Sequence, residues 1–259
     1  MNSGTEVGAA SRSANEVESG PVRSGWWLVA LGIVLPSAVT WLYFVVLHDS
    51  AASFQQLAYG LGKTVQFLLP VVWWWVSRPH PEISLRVNRG LAWGAALGGV
   101  IGLAMGVLYA FVLSPQGVFL GPQSAMQEKV VGLGLSTPTA YITLGVFYAL
   151  AHAGLEEYYW RWFVFGDLRR RMPVIGAAVV SSLGFMAHHV ILLAHYFGWG
   201  SPWTYFFAAS VAVGGFLWAM LYQRWQSLLG PWISHMVVDA AIFTIGYYLV
   251  GSVWQSPPA

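Results

Sequence analysis

The 259-residue chain is 57% hydrophobic and only 8% charged, whereas a soluble domain carries roughly a quarter charged residues. So few charges cannot cover a water-facing surface, which excludes an ordinary soluble enzyme and makes lipid the expected solvent for much of the chain. The lack of cysteine excludes disulfides and thiolate metal sites; the net charge of +2 says little by itself, and no nucleic-acid partner is expected.

In chain order, residues 1–25 are small and polar and predict a disordered tail without the apolar core of a signal peptide. A membrane-embedded domain is expected over 26–255. Seven apolar runs follow, at roughly 26–47, 55–76, 91–113, 139–165, 173–196, 203–222 and 229–250, each near the ~20 residues that a spanning helix needs. These runs are continuous, without the short alternating segments of a barrel. The expected fold is therefore all-α, a multi-pass transmembrane helical bundle with about seven spans. The connection at 114–138 is the longest and is expected to hold a short interfacial helix. In the third run Gly94, Gly98, Gly102 and Gly106 recur at every fourth residue, a stripe that lets another helix approach closely. Trp73, Trp74 and Trp75 predict an aromatic belt beside Arg78.

With seven spans, Arg12, Arg23, Arg78, Arg86, Arg89, Arg169, Arg170, Arg171 and Arg224 fall on one side, and Lys129 is left on the other. The excess of positive charge on cytoplasmic loops predicts a cytoplasmic N-terminus and an outer C-terminus; the plasma (inner) membrane is the expected location. Lys63 lies inside the second run and is expected to snorkel to the interface.

Three later runs contain groups that hydrocarbon tolerates poorly: His152, Glu156, Glu157 and Arg161 in the fourth, His188, His189 and His195 in the fifth, and His235 and Asp239 in the seventh. Each charged side chain at mid-membrane costs about 2.5–3.5 kcal/mol on insertion scales, so such residues face a bundle interior and mark function by default. Spacing says which can meet, because residues four apart share a helix face. Glu157 faces Arg161, His152 faces Glu156, Phe185 faces His189, and His235 faces Asp239. A carboxylate beside an imidazole can hold and deprotonate a water, and a histidine backed by an aspartate can stabilise an oxyanion. Glu156 and Glu157 point about 100° apart on the helix, so one can act as base while the other pairs with Arg161. That set suffices to hydrolyse a peptide bond without a serine or cysteine nucleophile. The span boundaries, however, place Glu156, His189 and His235 at different depths.

The run Glu156-Glu157-Tyr158-Tyr159-Trp160-Arg161 matches the EExxxR motif, Phe185 to His189 the FxxxH motif, and His235 to Asp239 the HxxxN/D motif of one family. Over about residues 139–245 the chain resembles the CAAX prenyl protease and bacteriocin-processing (CPBP, or abortive-infection) intramembrane proteases. The resemblance implies an endopeptidase that acts on a membrane protein or peptide within the bilayer. It implies that Glu156 is the general base, His189 its partner on water, His235 and Asp239 the oxyanion-side pair, and Glu157 with Arg161 a supporting pair. His188, next to His189, is the alternative for that position. A metal-free glutamate mechanism is preferred, because no HExxH zinc motif is present. If zinc is the cofactor, its expected ligands are Glu156, His189 and His235, with His152 as a fourth. Two other functions compete: a catalytically idle family member serving as an immunity or scaffold protein, and a proton relay or transporter. The last is disfavoured by the lack of internal repeats.

Overall fold

The computed structural model describes residues 25–76 and 82–254. The expected tail at 1–25 lies, apart from Gly25, outside the described residues, as do Arg12, Arg23 and Arg78. The described residues form eight helices and no strand. Helix α1 is Trp26–Val46, its last turn (Leu42–Val46) wound as a π-helix. Helix α2 is Ala52–Val76. Helix α3 is Arg89–Leu113, with a π-helical end at Tyr109–Leu113. The short helix expected in the long connection is α4, Gln123–Gly132. Helix α5 covers 138–168, α6 is Val174–Phe197, α7 is Pro202–Trp225, and α8 is Leu229–Val250, running into a 3-10 turn at Gly251–Trp254.

All seven expected spans are thus long helices. Five of them (α1, α3, α6, α7 and α8) are long and apolar enough to cross a membrane on length and composition alone. Helices α2 and α5 are less apolar because they carry the polar side chains discussed below. Local chemistry sets several starts. The Asn88 side chain accepts the Gly90 N–H at 2.8 Å, Thr137 Oγ1 the Ala140 N–H at 3.2 Å, and Ser201 Oγ the Trp203 N–H at 3.3 Å. Such caps are worth about 1 kcal/mol each. Pro138 and Pro202 occupy first-turn positions, where the missing N–H costs nothing. Gly198 stops α6 at φ 87°, a backbone that side chains disfavour.

Contacts reveal the alternation of the helices. At one end Arg171 lies over the Trp26 ring, Asn88 donates to the Trp225 carbonyl, and Arg169 binds Gln223 and Gln226. The described basic residues of 86–89, 169–171 and 224 therefore gather at that end. At the other end Lys129 of α4 donates to Gln55 and covers the Tyr43 ring at 4.2 Å. The glycine stripe of α3 packs on α8 as its spacing predicts: a Cβ on Gly94 would collide with the Gly230 backbone, and one on Gly98 would lie 2.9 Å from Ser234 Cα. Gly106 faces open space, so the close approach ends before it.

The core lies around the second half of α5, where Tyr159, Trp160, Phe163, Val164 and Phe165 have no exposed surface. Tyr159 donates to the Gly32 carbonyl of α1 at 2.6 Å. Trp73 corrects the expected aromatic belt. It is fully buried and donates its indole N–H to Asp167 Oδ1 at 3.0 Å, while Trp75 is 70% exposed. Three adjacent residues on one helix cannot all face lipid, and at the arginine-rich end the bundle interior offers Asp167 as an acceptor for one of them.

Candidate active site

Helix α5 is wound unevenly where it carries its charges. It is α-helical over Pro138–Phe147, π-helical over Tyr148–His152, α-helical for one turn at Ala153–Glu157, π-helical again over Tyr158–Phe165, and closes at Gly166–Leu168. π-helical turns loosen the backbone ladder and recur at functional sites. Two α5 carbonyls accept side chains from neighbouring helices. Leu150 O accepts Trp232 Nε1 of α8 at 2.9 Å, and Trp160 O accepts Ser181 Oγ of α6 at 3.3 Å. Trp232 is three residues before His235, and Ser181 is two helical turns before His188 on the same face. These two bonds thus fix the helices that deliver histidines to α5.

Glu156 is 3% exposed and stands among three imidazoles. Its Oε1 lies 3.8 Å from His152 Nε2 and 3.7 Å from His188 Nε2, and its Oε2 lies 3.7 Å from His235 Nε2. Glu157 turns away from this group, as the 100° step requires. Its Oε2 meets Arg161 Nε at 3.0 Å and its Oε1 meets His235 Nδ1 at 2.8 Å. Arg161 is buried, donates to the Gly215 carbonyl of α7 at 3.3 Å, and rests over the Phe185 and Trp218 rings. His235 stacks on Trp218 with centroids 4.2 Å apart, and Trp218 in turn donates to Ser234 Oγ at 2.8 Å. Asp239 Oδ1 approaches His235 Nε2 at 3.6 Å from one turn further along α8.

The structure therefore brings Glu156, Glu157, Arg161, His235 and Asp239 into one cluster. Of the adjacent histidines, buried His188 contacts Glu156 and lies parallel to Trp160. His189 lies with its ring centroid 4.2 Å from that of His188 and directs Nδ1 to the Phe185 carbonyl at 2.9 Å. A carbonyl can only accept, so Nδ1 carries the proton and Nε2 keeps a free lone pair. Phe185 is a hub whose ring meets His188, His189, His235 and Trp218. Its motif position predicts the contact with His189, but nothing in the sequence points to Trp218. His195 lies apart, near Phe44 and His48.

Depth is reconciled by where α8 begins. Ser227 and Leu228 are buried, with Ser227 Oγ donating to the Arg86 carbonyl and Leu228 N–H to the Ser84 carbonyl. Helix α8 thus starts inside the protein, which brings His235, only six residues into the helix, to the level of Glu156. Among the described residues no group of three or more His, Asp or Glu side chains is arranged to hold a metal ion. Of the expected zinc set, Glu156 meets His235 and His152, while His189 bonds a backbone carbonyl through Nδ1 and leaves Nε2 open.

Residues 138–241 match the model of the type II CAAX prenyl endopeptidase Rce1-like family. The segment belongs to that family. It is a family of CAAX-protease-type intramembrane endopeptidases, and all the clustered residues above lie within the match. No curated protein and no solved structure matches the chain.

Proposed function

We propose that the chain is an intramembrane endopeptidase that hydrolyses a peptide bond in a membrane-associated protein or peptide, using a water activated by Glu156. The observation that carries this reading is a buried carboxylate within 3.7–3.8 Å of three imidazoles. Such a carboxylate can take a proton from water as the water oxygen attacks the substrate carbonyl. His189, half-buried and with Nε2 free, orients that water. His188 and His152 hold the carboxylate from either side. His235, held through Nδ1 by Glu157 and flanked by Asp239, offers its Nε2 side to the developing oxyanion. The proton on Glu156 then passes to the leaving amine, and the products are a carboxylate and an amine. Arg161 keeps Glu157 in place. We place the enzyme in the plasma (inner) membrane with the arginine-rich end of the bundle in the cytoplasm, by the charge asymmetry of its ends.

Peptide cleavage by the full chain in detergent tests this. Glu156→Gln is expected to lose roughly 10³-fold in rate, within the range for a removed general base, while chelator leaves the wild type active. Chelator-sensitive cleavage restored by zinc would overturn the glutamate chemistry, and undiminished cleavage by Glu156→Gln would overturn the site.

A further inference from the structure

A cavity of about 430 Å³ lies between α2 and α5, and His152 and Lys63 are on its wall. On one side it adjoins the site, since His152 is 3.8 Å from Glu156 and its buried Nε2 has no hydrogen-bond partner. On the other side its rim is Leu68, Phe147 and Leu155, which are 55%, 52% and 39% exposed. Exposed apolar side chains on a membrane helix face lipid, so the cavity opens sideways into hydrocarbon and not into water. Lys63 stands near the middle of the 25-residue helix α2. It lies 5.6 Å from the Tyr59 and Phe67 ring centroids, and among the described residues no carboxylate is within ion-pair distance of it. Glu156 attracts it from beyond contact distance, and a cation in mid-membrane that no carboxylate touches is costly and marks a substrate or ion path. Lipid phosphates lie about 15 Å from the midplane, beyond easy reach of a side chain at this depth. A peptide that enters through the cavity toward Glu156, by contrast, can carry an anion to Lys63.

We infer that Lys63 is a specificity-determining residue that binds a carboxylate of the peptide substrate, foremost its free C-terminus, in the cavity between α2 and α5. The inference rests on the endopeptidase reading and deepens it. The cavity would hold the apolar residues between that carboxylate and the scissile bond, among Tyr59, Phe67 and Tyr148. Lys63→Arg keeps the charge and Lys63→Met keeps most of the apolar stem, so the pair separates charge from packing.

The test uses an apolar reporter peptide without Asp or Glu that the full chain cleaves, made with a free C-terminal carboxylate or a C-terminal amide. For wild type, amidation is expected to raise KM about tenfold, the loss of one charge-assisted contact, with kcat within about twofold. Lys63→Met should treat both peptides alike, and Lys63→Arg should recover most of the preference for the acid. An amidated peptide with one added Glu that regains Lys63-dependent affinity would assign the carboxylate to a side chain instead of the terminus. Equal KM for acid and amide in wild type, or a preference that survives Lys63→Met, would overturn the inference. Binding of the same peptides to the Glu156→Gln protein separates the two readings. An acid preference that depends on Lys63 without any Glu156-dependent cleavage would keep the carboxylate site and sink the peptidase, and equal binding of acid and amide would sink the site alone.

Discussion

Two carboxylate–arginine pairs, one within helix α5 and one across its C-terminal end, differ in what surrounds them. Glu157 meets Arg161 at 3.0 Å within the helix, and Asp167 meets Arg171, just past the helix end, at 2.7 Å, both four residues apart. Around the first pair stand His235, Trp218 and Phe185, with Glu156 alongside. The second is reached by the Trp73 indole and lies at the arginine-rich end, where Arg171 also covers Trp26. The pairs themselves are the same chemical device for tolerating charge out of water. On the proposed reading, function enters only where the pair hands its carboxylate to an imidazole and a second, arginine-free carboxylate stands next to it.

The first pair is most vulnerable at Arg161. Arg161→Met leaves Glu157 buried without its cation, which is expected to cost about 3–5 kcal/mol, seen as a lower thermal midpoint in detergent together with loss of cleavage. Glu156→Gln removes roughly 10³-fold of the cleavage rate but leaves the midpoint near that of wild type, because Glu156 has no arginine to strand. Asp167→Asn sharpens the contrast. The midpoint should fall by the equivalent of about 1–3 kcal/mol for weakened buried polar contacts, while cleavage per folded molecule stays within about twofold. Of the adjacent histidines, His189→Gln is expected to lower kcat by about 10²-fold as the partner on water, and His188→Gln by about tenfold, since it only positions Glu156. The reverse order would give His188 the water. Trp73→Phe is the mildest change, about 1 kcal/mol for one hydrogen bond, with no effect on kcat.

Much of this was legible in the sequence because hydrocarbon leaves little choice. Backbone groups in lipid must bond internally, so seven long apolar runs mean seven helices. Buried charges are expensive, so Glu156, Glu157, Arg161, His235 and Asp239 announce themselves. Four-residue spacing gives the pairs within one helix, Glu157 with Arg161 and His235 with Asp239, and it equally permits Asp167 with Arg171. It cannot give pairs between helices. That Trp73 leaves the aromatic belt to bond Asp167, that His188 and not His189 contacts Glu156, and that Trp218 stacks on His235 all depend on helix rotation.

Composition, period and local motif are enough to read the solvent, the helical fold and the family likeness of residues 138–241. Tertiary packing was needed for the depth of the cluster, for which of the adjacent histidines contacts Glu156 and for the cavity at Lys63. Those depend on where α8 starts inside the protein, on the π-helical turns that reset the rotation of α5, and on the gap left between α2 and α5. None of these is a property of any one segment of the chain.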